Sequence, residues 1–327
     1  MASAPHSVIA MGSSATDGSQ GGAELQLRLR CPRCTANVSS LNCLKCCFEL
    51  RENGGIILAL PPARVEHYSS FVEDYERIRT AEGRGSNRDD FYLGLPYRDA
   101  SGQNRKQWVI RARTFDYLKD RILAPNLAAG ARILDLGAGN CWMSFRLAQA
   151  GYMPIAVDLL TNSYDGMGAA EHYRRHLREY FPRFQAEAAR LPFQDGQLDA
   201  VVFNASFHYA EDAETVLGEA LRCVKRSGLV IISDTPWYSA EKCGNEMVQE
   251  RRMNFMRRYG TASASLNSVE FLTDERLQTL ARQLDIHWHI HSPNYGLWWA
   301  MRPYLAKLQN RREPGRFRIY VAQRVTS

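Results

Sequence analysis

The 327-residue sequence contains no run of about 18 apolar residues, the length a helix needs to cross a bilayer. Its first 22 residues, MASAPHSVIAMGSSATDGSQGG, hold neither Lys nor Arg and no long apolar core, so they do not read as a secretory signal. Their Ser, Gly and Ala content predicts a disordered tail over residues 1–24. These absences predict a cytoplasmic protein without a membrane span, where disulfides are disfavoured. There is no internal repeat. The net charge is only +6, a slight lean towards anionic partners without a basic tail.

A missing glycine is more informative. The stretch ILDLGAGNCW, residues 133–142, reads as a buried strand, a glycine turn and a helix start. Nicotinamide-binding loops use G-x-G-x-x-G, and the third glycine lets the helix pack closely on the strand. Here Gly137 and Gly139 are followed by Trp142 in that place, and an indole is a severe misfit. The pattern acid-x-G-x-G-x-G fits better, with Asp135, Gly137 and Gly139 in place and Cys141 replacing the last glycine. Asp158 ends the next predicted strand 19 residues after Gly139, a position suited to ribose hydroxyls or, alternatively, to helix capping. The segment EAARLPFQDGQLDAVVFNASFHY, residues 187–209, leads into another buried strand.

From about residue 107 to 327 these pieces resemble the class I (Rossmann-like) methyltransferases that use S-adenosyl-L-methionine (SAM). The resemblance implies a cofactor site at Asp135, Gly137, Ala138, Gly139, Cys141, Asp158, Leu159, Glu187, Ala188 and Asn204. Asp135 and the N–H groups of the following helix would hold the methionine end. Glu187 would accept from the adenine amino group, with Leu191, Pro192 and Phe193 walling the ring. Two readings of Cys141 stay open: a tolerated small side chain, or an activated thiol of lowered pKa.

Strand and helix patterns alternate through this region, at 132–136, 142–150, 154–158, about 169–180, 184–186, 200–204, 213–224, 229–233, 274–284, 286–290 and 317–324. That alternation predicts an α/β fold with a doubly wound, seven-stranded, mostly parallel sheet and helices on both faces. A substrate-side insert is expected at about 236–272. Residues 63–106 read as a helical and loop cap, with Tyr68, Phe71 and Tyr75 as either core or lid and Arg79 and Arg84 placed to meet an anionic substrate.

Five of the eight cysteines fall between residues 31 and 47. Cys31-x2-Cys34 and Cys43-x2-Cys46 form two knuckles able to present four thiolates to one tetrahedral ion, with Cys47 as a rival to Cys46. Residues 25–62 therefore predict a ribbon holding a structural Zn2+, and they resemble the N-terminal zinc ribbons of some bacterial methyltransferases.

The loop after the strand at 200–204 should face the transferable methyl. It offers Asn204, His208 and Tyr209 as catalytic candidates: His208 as general base or as an inert helix-start residue, Tyr209 to orient the acceptor, and Asn204 with Phe207 as a faint likeness to an amino-methyltransferase loop. The loop at 161–173 reads as a mobile cover, with Asp165 either touching substrate or capping the helix. His287, His289 and His291 read as surface strand positions. Two functions compete. One is methyl transfer to a small molecule of the aromatic, quinone, lipid or secondary-metabolite class. The other is methylation of a ribosomal RNA base, with the ribbon and the clusters Arg251, Arg252, Arg257, Arg258 and Arg311, Arg312, Arg316, Arg318 gripping RNA. The oligomeric state has no sequence signal.

Overall fold

The computed structural model describes residues 9–10, 26–39 and 41–325. Most of the tail expected over 1–24 therefore lies outside the described residues. Six short strands come first: β1 (Ile9–Ala10), β2 (Gln26–Leu27), β3 (Leu29–Arg30), β4 (Asn37–Val38), β5 (Arg51–Asn53) and β6 (Ile56–Leu58). Helices α1 (Pro62–Ala81), α2 (Asp89–Leu93) and α3 (Arg105–Tyr117) follow. α3 widens into π turns over Leu118–Leu123 and runs on through a last turn, α4 (Ala124–Asn126). Helical structure thus continues one residue past Pro125.

The α/β region contains β7 (Arg132–Leu136), α5 (Trp142–Gln149), β8 (Met153–Asp158), β9 (Arg183–Gln185), β10 (Leu198–Asn204), α6 (Ala213–Cys223) and β11 (Val224–Ser233). It continues with α7 (Glu241–Tyr259), α8 (Asp274–Leu284), β12 (Ile286–His291), α9 (Leu297–Leu308) and β13 (Ile319–Arg324). Local chemistry fixes several of these ends. Asp212 caps α6 through Thr215 N at 2.6 Å, and Thr273 caps α8 through Arg276 N at 3.3 Å.

The main sheet has the order β12-β13-β11-β10-β7-β8-β9-β6-β5. Its first seven strands are the expected mostly parallel sheet, with β13 antiparallel to both neighbours. The total is nine rather than seven because the β5–β6 hairpin pairs β6 in parallel with β9. β9 would otherwise present a row of unpaired N–H and C=O groups, and the hairpin satisfies them. The chain winds outward from β7 through β8 to β9, then returns to place β10 on the other side of β7. That reversal opens a crevice beyond the C-terminal strand ends.

The cysteine segment does not hang free. Leu29 bridges to Phe193, Arg30 N donates to Pro192 O at 3.1 Å, and Gln194 N donates to Arg28 O at 3.0 Å. Leu29, Cys31, Val38, Cys43 and Leu50 are buried in the same apolar cluster as Leu191, Phe193, Phe184 and Leu198. Leu191 and Phe193 therefore serve as the ribbon's seat and do not wall the cavity described below, contrary to the reading from sequence.

Two other expectations change. Residues 169–180 form a 3-10 helix over Met167–His176 instead of an α-helix. α9 was not anticipated, because Pro303 sits inside it. A shared core makes Leu29, 1% exposed, a sensitive position. Leu29→Ala should cost about 2–5 kcal/mol in urea unfolding, with one transition seen by all probes. A separate early transition for the cysteine segment would show it to be independent.

Candidate functional site

A cavity of about 300 Å³ occupies the crevice. Its floor is the turn after β7. Gly137 has φ 83°, and a Cβ there would lie 2.2 Å from Ser206 Cβ, so no side chain fits. Gly139 also has positive φ, but a Cβ would meet nothing nearer than Asp165 O at 3.6 Å, which leaves its backbone open to a ligand. One wall is the end of β8, with Asp158, Leu159 and Leu160; the opposite one carries Ala186, Glu187, Ala188 and Ala189. Ser206, Phe207 and Tyr209 close the back.

α1 forms the roof with Arg64, Tyr68, Phe71 and Tyr75. Phe71, Tyr75 and Tyr209 form a mutual aromatic trio with each pair of centroids 5.7 Å apart. The stripe on α1 is thus a wall of the site. Arg64 and Glu211 also line it and carried no sequence signal, because their relevance depends on distant partners.

The acids differ in their surroundings. Asp158 accepts from Gly139 N and Leu160 N, both at 2.8 Å. Burial raises its pKa, and those N–H groups oppose the rise. It ties the glycine turn to β8 while keeping lone pairs for a ligand. Glu187 is 2% exposed; its Oε2 accepts from Arg64 and from Tyr68 Oη at 3.0 Å, whereas its Oε1 is buried without a hydrogen bond, the nearest cation being Arg190 Nε at 3.8 Å. Asp135 Oδ2 accepts from Ser144 N (3.0 Å) and Ser144 Oγ (2.7 Å), and burial pushes the Asp135 pKa up to about 7.

A second, small cavity of about 40 Å³ lies beside the glycine turn, lined by Asp135, Ala138, Asn140, Asp165 and Asn204 and, from the helices above, by Arg79 and Arg111. The start of α5 is less open than expected. Trp142 N donates to Asn140 Oδ1 and Ser144 N to Asp135, so side chains of this chain already use those groups.

Several other expectations are revised. Cys141 lines none of these cavities; it is fully buried, and burial drives its thiol pKa well above the ordinary value. The activated-thiol reading is therefore wrong. Its φ of 62° is costly for a residue with a Cβ, by about 1–2 kcal/mol.

Asp165 caps no helix. It is 4% exposed, paired with Arg79 of α1 and held by Asn140 Nδ2 at 3.2 Å. The loop at 161–173 is pinned, since Asn162 Oδ1 accepts from Tyr164, Asp165 and Gly166 N–H. Its Gly166 and Gly168 are there for close packing, because a Cβ at either would meet backbone below 3 Å.

The His208 ring lies outside the cavity lining. Burial, with Arg251 and Arg111 nearby, pushes its pKa down to about 3, so it is neutral at physiological pH and a weak base. Asn204 Oδ1 accepts from Ser233 Oγ at 3.2 Å. His287 and His289 are exposed on β12, as read from sequence.

The cysteine cluster is a second site. The Sγ atoms of Cys31, Cys34, Cys43 and Cys46 all lie within 4.8 Å of one another, with Cys31–Cys46 at 3.6 Å and Cys34–Cys43 at 3.4 Å. Four sulfurs at about 2.3 Å from one zinc would stand about 3.8 Å apart, close to this spacing. Two equivalent turns build it. Thr35 N donates to Cys31 O at 2.9 Å and Cys47 N to Cys43 O at 2.8 Å, and Thr35 and Cys47 both take positive φ. Cys47 is therefore the counterpart of Thr35, exposed and outside the cluster, which leaves Cys46 as the fourth thiol.

The burial of Cys141 is open to test. Iodoacetamide applied to the native protein should label Cys47 and leave Cys141 unmodified, as read by peptide mass spectrometry. Comparable rates at both would contradict the closed packing under the glycine turn. Cys141→Gly should leave cofactor affinity unchanged or improve it.

Residues 134–232 match the family described as a methyltransferase domain. An arsenite methyltransferase of Aquipseudomonas alcaligenes is 27% identical over 137 residues, 39% of this chain and 39% of that protein. A demethylmenaquinone methyltransferase of Beutenbergia cavernae is 34% identical over 111 residues, covering 33% of this chain and 43% of that one. The chain thus spans about two fifths of the length of these curated relatives. Among solved structures, phosphoethanolamine N-methyltransferase 2 of Haemonchus contortus in complex with SAM aligns at 15% identity, over 73% of this chain and 60% of that one, with a TM-score of 0.45. Residues 134–232 thus carry a methyltransferase domain, set in a chain whose strand order and glycine turn are those of a Rossmann-like α/β fold.

Proposed function

We propose that the protein is a SAM-dependent methyltransferase acting on a small-molecule acceptor. One observation carries this reading: a cavity at the sheet's reversal point brings together an open left-handed glycine, a strand-end carboxylate at Asp158 and a buried Glu187 Oε1 that accepts no hydrogen bond. Each matches a different part of the cofactor. Asp158 would accept from the ribose hydroxyls, and Glu187 Oε1 from an exocyclic amine. Gly139 would let the backbone approach without a Cβ clash, and Leu159 and Ala188 would flank the adenosine. The methionine end would lie towards the smaller cavity between Asp135, Asn140 and Asn204.

When bound, SAM supplies a methyl group on a sulfonium, already activated for attack. The protein's own task is then alignment and exclusion of water. Tyr209 suits that task, because it lines both the cofactor cavity and a neighbouring cavity of about 190 Å³ under α1 and α7. His208, neutral with a depressed pKa, is better suited to shaping this wall than to strong base catalysis.

Two supports favour a small acceptor. The neighbouring cavity is walled by Phe71, Tyr75, Tyr209 and Phe255, and the relatives above are named for menaquinone-precursor and arsenite methylation. The arginine clusters lend less to RNA binding than their count suggests. Arg251 pairs with Glu270, Arg312 with Glu250, Arg316 with Glu313 and Arg318 with Asp274. We also assign Cys31, Cys34, Cys43 and Cys46 to one structural Zn2+, four thiolates leaving no open position for catalysis.

Calorimetry should detect SAM binding, and Asp158→Ala should weaken it by at least about tenfold, the loss of a charge-assisted hydrogen-bond pair. Labelled methyl from SAM should then enter the small-molecule fraction of a cell extract and not its RNA. Absence of SAM binding would defeat the reading. Metal analysis of protein purified under reducing conditions should give about one zinc per chain, and strong chelators should lower the melting temperature.

A further inference from the structure

The 190 Å³ cavity beside the cofactor site has an unbalanced lining. Arg79, Arg84, Arg111 and Arg251 face Glu82 and Glu270. Three of the four arginines have a carboxylate partner. Arg79 pairs with Asp165, Arg84 Nε with Glu82 at 3.0 Å, and Arg251 makes two bonds of 2.6 Å to Glu270. Among the described residues Arg111 has no carboxylate within 4 Å and no hydrogen-bond acceptor; it lies 5.1 Å from the Trp108 ring and lines both this cavity and the smaller one beside the glycine turn. Burial and the neighbouring Arg79 and Arg84 lower its pKa, with Asp234 opposing from a distance.

A second observation stands apart from Arg111. Arg84 is 4% exposed, and its Nη1 is buried with no partner. Arg251 Nε is likewise buried without one. Three cationic donor groups on one small cavity are therefore unsatisfied. Leaving such groups desolvated is expensive, whereas a planar oxyanion fits the guanidinium fork with two parallel hydrogen bonds. The rest of the lining is flat and apolar, from Phe71, Tyr75, Tyr209 and Phe255.

We infer that this cavity is the acceptor site and that the acceptor is an anionic aromatic or similarly flat molecule, its carboxylate or phosphate held by Arg111 with Arg84 and Arg251. The inference rests on the methyltransferase reading, and it specifies the substrate class. Tyr75 and Tyr209 line both cavities, so an anion held at the arginine end leaves the body of the molecule directed to the cofactor side.

The test uses the full chain saturated with S-adenosylhomocysteine, so that the cofactor's own carboxylate subsite is filled. Benzoate, cinnamate and phenyl phosphate are titrated beside their neutral counterparts benzamide, cinnamamide and phenol, with ligand-observed NMR or calorimetry as readout. At least one anion should bind about tenfold or more tighter than its neutral counterpart, with affinity falling as salt rises. Arg111→Gln, compared at saturating S-adenosylhomocysteine because Arg111 also lines the smaller cavity beside the glycine turn, should abolish that preference. No anion preference in any pair overturns the inference, as does an Arg111→Gln effect that falls on S-adenosylhomocysteine alone. Should Arg111→Gln not fold, the wild-type preference and its salt dependence decide. S-adenosylhomocysteine binding without anion preference would leave the methyltransferase reading intact and defeat only this one.

Discussion

The site depends on one buried carboxylate. Glu187 lies 2% exposed at the edge of the crevice, and a charge so placed must be paired. Its partners, Arg64 and Tyr68, both come from the first half of α1. Satisfying Glu187 therefore seats the helix across the mouth of the cavity. Once seated, the helix brings Phe71 and Tyr75 against Tyr209 and carries Arg79 to Asp165 in the loop after β8. The roof is held at both ends by ion pairs to acids of the Rossmann-like core, and the aromatic trio fills the span between them.

This arrangement gives the cysteine ribbon a different meaning. Its hairpin extends the sheet past β9, and Leu60, Pro61 and Pro62 lead from β6 straight into α1. Pro61 is the N-cap and Pro62 the first helical residue, so the exit direction is set by two restricted φ angles. The ribbon thus acts as an anchor for the roof. It packs Leu29 and Leu50 into one apolar cluster with Phe193 and Leu191, which is the chemistry of an internal brace.

Much of the fold was legible from local pattern. Strand–helix alternation, the two glycines, and the two C-x2-C pairs all depend on residues close in sequence, where periodicity and turn chemistry act. What escaped was non-local. Leu191 and Phe193 look the same whether they wall a ligand or seat a ribbon, and only the arrival of Leu29 decides. Asp165 looks like a helix cap until Arg79 is seen across from it. Arg111 sits inside an ordinary amphipathic pattern, and its lack of a partner is a property of everything around it. α9 was hidden by Pro303; the helix buries no residue fully, and Trp299 stacks on Phe317 at 5.6 Å between centroids.

The join between β6 and β9 also bears on how the chain assembles. The cysteine turns close over spans of a few residues and can form early, whereas Ile56 pairs with Arg183, a separation of 183 − 56 = 127 residues. During synthesis from the N-terminus, α1 is complete long before the strand that supports its anchor, or the carboxylate that fixes it, has emerged. The roof is therefore set after the walls it covers. Chain entropy alone places closure of the pocket late in folding, with the loop-closing step, rather than helix formation, setting its pace.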